Sequence, residues 1–150
     1  MGSIKYVDEL KLDFEQRHPY KRLSIPRIKF VAKMLRLRVR DVVAHRTANG
    51  VHVRIALEQR LHPIAAVLVQ ALMGSDYARE TYNAIRAFNL TASPDKYDDV
   101  VHECWNVLFH EKYVGGRLAS REVFDPRLTR RLRRALEELM VRGEEGGGEG

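Results

Sequence analysis

The chain has 150 residues, 45% of them apolar, and a formal net charge of +6. This size and composition suit one compact domain with its own core, and no apolar run approaches the roughly eighteen residues of a membrane span. A single cysteine excludes an internal disulfide and a Cys-x-x-Cys metal clamp, and the first residues lack the features of a signal peptide. We therefore expect a cytoplasmic protein without cofactor or metal.

The positive charge is concentrated in one stretch of the chain. Twelve Lys and Arg residues lie between Arg17 and Arg60, against two acids, Asp41 and Glu58. Such a stretch favours a nucleic-acid partner, because Lys and Arg that bind phosphates release counterions and supply affinity that is independent of sequence. An anionic membrane surface and solubility alone are the alternative explanations.

The first predicted elements are a strand and a basic helix. Leu10, Leu12 and Phe14 alternate with charged residues, which favours a half-buried strand over residues 9–16, with a helix as the alternative. Ser24 is suited to cap a helix that has Pro26 in its first turn and apolar residues at helical spacing after it. Lys and Arg residues would line the solvent side of that helix.

A β-hairpin is predicted around Asn49-Gly50, because this dipeptide suits a two-residue type I′ turn. Its strands would span residues 38–47 and 51–58. With this turn, Val42 faces Leu57, Ala44 faces Ile55 and Arg46 faces Val53 on the core side, whereas Thr47 faces His52, His45 faces Arg54 and Asp41 faces Glu58 on a polar, basic and open side.

Two helices follow the hairpin. The first begins at His62-Pro63 and ends at Gly74, and the second runs from Ser75 or Asp76 to about Asn89. The apolar stripe that we predict to be buried in the first helix consists of Ile64, Val67, Leu68, Ala71 and Leu72. In the second helix the predicted inner face is Ala78, Thr81, Ile85 and Phe88, and the predicted outer stripe is Arg79, Tyr82, Asn83 and Arg86.

The last third of the chain predicts a strand, a helix and a tail. Residues 104–113 are rich in aromatic and branched residues, as strands are, and Pro126 opens a helix that extends to residue 142. Residues 143–150, which are acidic and glycine-rich, are predicted to be a disordered tail, so residues 1–142 form a single domain. The predicted helix carries a short coiled-coil seam, which indicates a homo-oligomer, dimer or tetramer, and the seam consists of Leu128, Leu132, Ala135 and Leu139.

Two sets of side chains combine cations with rings. One is the polar face of the hairpin, which includes His45, His52 and Arg54, and the other is the outer stripe of the second helix, Arg79 to Arg86. Single-strand binders use cations to track phosphates and rings to stack on bases, at about 1–3 kcal/mol for each base. The alternative for each set is an ordinary solvated face. An aromatic row such as Trp105, Phe109 and Tyr113 more often packs in a core than stacks on bases.

An enzymatic alternative rests on Asp41 and Glu58. The predicted register places these carboxylates opposite each other, with Arg60 nearby, and such a pair could hold a divalent metal for phosphodiester cleavage. Like charges that face each other cost stability, and arginines could bridge them instead. Because no glycine-rich phosphate loop or complete acidic motif is present, we expect no catalytic activity and keep a metal-dependent nuclease as the alternative.

The order of these elements resembles a known family. The chain contains, in this order, a basic helix, the hairpin around Asn49-Gly50, the junction Leu72-Met73-Gly74-Ser75-Asp76-Tyr77-Ala78-Arg79, the strand Trp105-Asn106-Val107-Leu108-Phe109 and a C-terminal helix with leucines at helical spacing. Together these features resemble ThermoDBP, a family of archaeal single-stranded DNA-binding proteins. The resemblance implies a small antiparallel sheet packed with helices, a cleft that takes a single strand, assembly through the C-terminal helix, and no catalytic residues.

The pattern and the resemblance together predict an α+β fold with a small four-stranded antiparallel sheet. We expect a single-stranded DNA-binding protein with little sequence preference and strong salt dependence, and single-stranded RNA is the alternative ligand. The predicted contact residues are His45, Arg46, His52, Arg54, Arg79, Tyr82, Arg86 and Lys112.

Overall fold

A four-stranded antiparallel sheet forms the centre of the fold. The computed structural model describes residues 3–109 and 111–141. Strands β1 (Val7–Glu15), β2 (Val39–Arg46), β3 (Gly50–Leu61) and β6 (Val123–Phe124) lie in the order β1-β3-β2-β6. Strands β4 (Glu111–Val114) and β5 (Arg117–Arg121) pair with each other in a separate small sheet. The predicted α+β class with a four-stranded antiparallel sheet is confirmed.

Within the described residues, five α-helices accompany the sheets: α1 (Ile25–Met34), α2 (Pro63–Leu72), α3 (Tyr77–Ala92), α4 (Asp99–Cys104) and α5 (Pro126–Ala135). The predicted start of α1 is confirmed, because the Ser24 hydroxyl accepts a hydrogen bond from the Arg27 amide at 3.3 Å. The carboxylates of Asp76 and Asp125 cap α3 and α5 in the same way.

One face of the main sheet forms the core. Leu10 and Leu12 of β1 and Ile55 of β3 are fully buried there, together with Ile28 of α1 and Leu132 of α5. The alternation that predicted a strand near residues 9–16 therefore reflects one buried and one polar face.

The free edge of β1 is covered by the α2–α3 connection. The Lys11 amide donates to Gln70 Oε1 at 2.9 Å, and the Asp13 amide donates to Ser75 Oγ at 3.0 Å. The Asp76 amide in turn donates to the Asp13 carbonyl at 2.7 Å. Since an uncovered edge strand invites pairing with another chain, these bonds close the sheet on that side and fix α3 against it.

The hairpin is present, but its predicted register is wrong. The Thr47 amide donates to the Gly50 carbonyl at 2.9 Å, so the turn residues are Ala48 and Asn49 rather than Asn49 and Gly50. The pairing is therefore displaced by two residues, which leaves the core side of each strand unchanged because side chains alternate with a period of two. The observed pairs include Val42 with Ile55, Ala44 with Val53, His45 with His52 and Arg46 with Val51.

The strand predicted over residues 104–113 is not formed. Cys104 ends α4, the next residues are irregular, and β4 begins only at Glu111. The fourth strand of the main sheet is instead β6, which pairs with β2. Aromatic residues favour strands on average, but here Trp105 fills the core while Phe109 is 73% exposed, so the aromatic row spans two environments.

Apolar side chains of α2 and α3 lie at the surface rather than in the core. Val67 is buried as predicted, but the large apolar residues of the predicted inner faces expose between 43% and 63% of their surface. These exposed residues are Ile64, Leu68, Leu72, Ile85 and Phe88. The predicted inner faces of both helices are therefore wrong for most of their residues.

A buried polar network occupies the place that was predicted for these apolar residues. Gln70, Glu80, Asn83 and Asn106 are almost fully buried and are hydrogen-bonded to one another. Every buried side-chain nitrogen and oxygen of the described residues has a hydrogen-bond partner. Periodicity assigns polar residues to solvent, whereas a fully satisfied network allows them to be buried.

The predicted C-terminal helix is present as α5 and begins at Pro126 as expected, but it ends at Ala135 rather than at residue 142, and a single 3-10 turn follows at Glu137–Leu139. Leu128 and Leu132 are buried in the chain's own core, Leu139 packs against that core and Ala135 is half-buried. The Thr129 hydroxyl accepts from the Ala44 amide of β2 at 2.9 Å, so the helix is docked on the sheet. The leucine seam therefore faces the chain's own core instead of a partner, and the tail predicted over residues 143–150 lies outside the described residues.

Candidate nucleic-acid interface

An open cleft of about 670 Å³ lies between α3 and the chain that runs from α4 to Phe109. The sheet contributes polar residues to it, and the two walls contribute aromatic, apolar and basic ones. The lining residues include Asp13 and His52 from the sheet, Tyr82, Asn83, Arg86 and Asn89 from α3, and Val100, Val101, Cys104 and Phe109 from the opposite wall.

Half of the predicted contact residues meet in this cleft. His52, Arg79, Tyr82 and Arg86 all line it. Lys112 lines an adjoining recess of about 340 Å³, here named the connecting recess, which shares Asp13, His52 and Phe109 with the cleft. In the part of the chain that the structure describes, His45, Arg46 and Arg54 lie outside both cavities.

The side chains of Tyr82, Arg86 and Phe109 are accessible in the cleft. Tyr82 and Arg86 are four residues apart on α3 and therefore point to the same side of the helix. Tyr82 is 62% exposed, and Phe109 on the facing wall is 73% exposed. Arg86 is exposed and makes one long contact, 3.5 Å from its Nη1 to Asn83 Oδ1. The cleft thus offers two rings and a cation to a ligand.

Arg79 has a structural role. Its guanidinium donates to the Val107 carbonyl at 2.9 and 3.1 Å, to the Lys11 carbonyl at 2.8 Å and to Asn106 Oδ1 at 2.9 Å. It also pairs with Glu80, and only 12% of its side chain is exposed. Burial lowers the pKa of Arg79 in spite of the neighbouring carboxylate. Because these bonds use its donors, Arg79 holds the cleft wall on the sheet rather than a phosphate.

The predicted polar face of the hairpin is closed by Glu122. His52 Nδ1 lies 2.9 Å from Glu122 Oε1, and Arg54 Nη2 donates to the same oxygen at 3.1 Å. His45 Nδ1 lies 3.2 Å from Arg54 Nη1, and its ring packs edge-on against Phe124. His52 is 8% exposed. His45, His52 and Arg54 therefore bind the chain before β6 to the sheet, which corrects the prediction of an open platform.

His52 is expected to make the stability of the fold depend on pH. Burial lowers the pKa of His52, but hydrogen bonds to Asp13 and Glu122 outweigh it and raise the pKa above the ordinary 6.5. A raised pKa in the folded state stabilises the fold fully below pH 6.5, and this contribution disappears as pH rises through the raised value. Urea unfolding at several pH values should show this loss, and Glu122→Gln should move its midpoint to lower pH. If His52→Gln showed the same dependence of stability on pH as the wild type, the assignment of this dependence to His52 would be wrong.

The two carboxylates of the nuclease alternative do not meet. Asp41 pairs with Ala56 across the strands, and its carboxylate binds Arg133 through two hydrogen bonds of 2.9 and 3.1 Å. Glu58 lies 3.3 Å from Arg38. Because the predicted register was wrong by two residues, the acidic pair that it produced is absent from the hairpin.

Comparisons with protein-family models, with curated proteins and with solved structures find no match to this chain. Within the described residues no helix is both long and apolar enough to cross a membrane, and no group of three His, Cys, Asp or Glu side chains is placed to hold a metal ion.

The prediction from sequence omits Asn89, Tyr97 and Phe109, which also line the cleft. Asn89 lies seven residues after Tyr82 on α3, so extending the predicted outer stripe by one turn includes it. Phe109 belongs to the aromatic row that was assigned to packing, and no local feature distinguishes it from the buried Trp105. Tyr97 follows the 3-10 turn at Pro94–Lys96, and its position depends on the tertiary fold.

Proposed function

We propose that the protein binds single-stranded nucleic acid in the cytoplasm, DNA in preference to RNA, and catalyses no reaction on it. The observation that carries the proposal is a cleft lined by the exposed rings of Tyr82 and Phe109 and by the exposed cation Arg86. A base stacked on a ring gains about 1–3 kcal/mol. Arg86 would donate to an adjacent phosphate, and Lys112 would extend the positive charge into the connecting recess.

The chemistry of the cleft favours an unpaired strand over a duplex. A duplex buries the faces of its bases in its own stack, whereas an unpaired strand can offer them to aromatic side chains. Stacking accepts every base, so little sequence preference is expected. The preference for DNA over RNA rests on the resemblance to the ThermoDBP family.

Replacing Tyr82 by alanine is expected to weaken binding of a labelled single-stranded DNA roughly 5- to 150-fold, which corresponds to one lost stacking contact. Fluorescence anisotropy at constant salt measures the change. Tyr20→Ala is the matched control, because Tyr20 is 85% exposed and lies outside the cleft. The control should bind as the unmodified protein does.

The same assay tests the class of ligand. The single strand should bind more tightly than a duplex of the same sequence and than the corresponding RNA, and it should stay intact in the presence of magnesium. Equal losses for Tyr82→Ala and Tyr20→Ala would remove the cleft as the site. An absence of binding to every oligonucleotide at low salt would refute the function itself.

A further inference from the structure

A second cavity, here named the arginine recess, lies beside the turn of the β2–β3 hairpin. Its volume is about 610 Å³, and four guanidinium groups line it, those of Arg17, Arg46, Arg127 and Arg131. In the part of the chain that the structure describes, Asp125 is the one acid in its wall. The Asp125 carboxylate accepts from the Leu128 amide at 3.0 Å and lies 3.5 Å from Arg46 Nε.

Three of these arginines have no acidic partner among the described residues. Within residues 3–109 and 111–141, Arg17, Arg127 and Arg131 form no ion pair. Arg127 and Arg131 are four residues apart and project from one side of α5, while Leu128 and Leu132 bury its other side in the core. The docked helix therefore holds two cations in place at the recess.

The arginine recess adjoins the connecting recess, and the connecting recess adjoins the cleft. The cleft and the connecting recess share Asp13, His52 and Phe109. The connecting recess and the arginine recess share the hairpin turn, residues 47–50. One extended ligand can therefore pass from the rings of the cleft, along the connecting recess and past the turn, to the arginines.

Three of the four acids that line the connecting recess are engaged by cations of the protein, whereas the fourth, Glu15, forms no ion pair among the described residues. Glu122 pairs with Arg54 and with His52, and Asp76 lies 3.3 Å from Lys21. Asp13 lies 3.5 Å from His52 Nε2. Since these carboxylates are compensated, they oppose a phosphate less than free acids would.

From this adjacency we propose that the arginine recess binds the phosphates of the strand whose bases occupy the cleft. The inference rests on the proposed function and assigns a different contact with the ligand to each of two surfaces. The cleft supplies stacking and one cation, and the recess supplies most of the counterion release that makes binding depend on salt. Guanidinium groups suit this role because they donate two parallel hydrogen bonds to phosphate oxygens.

The double variant Arg127→Gln/Arg131→Gln tests the proposal. Removing two phosphate contacts should lower the slope of log K against log salt by about 1.4, since each contact to a single strand contributes about 0.7. Arg130→Gln/Arg134→Gln is the matched control, because it changes the same charge at the same spacing on α5, outside the recess. Thymidine oligonucleotides of increasing length are the ligands.

Long oligonucleotides should lose affinity with the recess variant, whereas the shortest ones that still bind should not, because they fill only the cleft. Equal slopes for the recess and control variants would overturn the proposal and indicate a general effect of net charge. If Tyr82→Ala weakens binding while the recess variant does not, the recess proposal fails and the proposed function stands. If no oligonucleotide binds at all, the proposed function fails.

Discussion

Replacing Glu80 by alanine is expected to lower the free energy of unfolding by about 3–5 kcal/mol, as in other proteins that lose one partner of a buried ion pair. The carboxylate is 3% exposed and pairs with Arg79. It accepts from Gln70 Nε2 and from Ser75 Oγ, each at 2.8 Å, and from Asn83 Nδ2 at 3.2 Å. Alanine would leave these donors and a guanidinium without their acceptor, and the cost of such groups in the interior is large.

Urea unfolding measures this effect, and two variants calibrate it. Glu80→Gln keeps the size and one acceptor oxygen but loses the charge, so an intermediate cost of about 1–3 kcal/mol is expected. Glu103→Ala removes an exposed acid of α4 and should change stability by less than about 0.5 kcal/mol. A cost below about 1 kcal/mol for Glu80→Ala would mean that the network does not hold the helices.

Glu80→Ala is also expected to weaken the binding of single-stranded nucleic acid, although Glu80 does not line the cleft. Glu80 orients Arg79, and Arg79 holds Asn106 and Val107 against β1. Phe109 follows two residues later in the irregular segment, so its ring depends on this anchor. A folded Glu80→Gln variant with reduced affinity would identify Glu80 as a positioning residue for the cleft wall.

Arg79 and Asn83 explain where prediction from sequence stops. Both belong to the stripe that was predicted to face solvent, and that stripe does face the cleft through Tyr82 and Arg86. A buried polar residue and a solvated one look alike in a sequence, because the difference lies in partners such as Gln70 and Asn106 that are distant along the chain. The predicted outer stripe is therefore correct for Tyr82 and Arg86, which face the cleft, but the prediction missed the structural roles of Arg79 and Asn83.

Local signals predicted the elements that depend on local chemistry. The cap at Ser24, the start of α2 at Pro63 and the alternation in β1 all appear as expected. The position of β6 and the irregular path of residues 105–109 depend instead on how distant segments meet. That dependence is why residues 104–113 were assigned to the wrong structure.

The stretch of twelve cations shows that neighbours in sequence need not converge in space. None of the twelve lines the cleft. Arg17 and Arg46 line the arginine recess, whereas Lys29 and Lys33 each lie 3.6 Å from Glu138. The recess is completed by Arg127 and Arg131, more than sixty residues later, so only the fold reveals this basic surface.

Replacing Gly50 by alanine is expected to destabilise the fold by at least about 3 kcal/mol, at the upper end of the range for overpacked sites. The φ angle of Gly50 is not positive, unlike those of Gly74, Gly115 and Gly116, so this glycine does not serve the type I′ turn that Asn49-Gly50 suggested. A Cβ at Gly50 would instead overlap the carbonyl oxygen of Phe14 on β1. Because that atom belongs to backbone in a paired strand, it cannot move aside as a side chain would.

Gly50→Asn separates the two explanations of this glycine. Asparagine is well tolerated at positive φ, so in a type I′ turn it would cost little, whereas against the Phe14 carbonyl it should cost as much as alanine. Gly116→Ala is the matched control for strain alone, since its φ is +77° and no atom lies within 4 Å of the added Cβ, and it should cost about 1–2 kcal/mol. Urea unfolding of the three variants gives the ranking. If Gly50→Asn were as stable as the unmodified protein, the result would contradict the contact with Phe14 and support the type I′ turn that was predicted from the sequence.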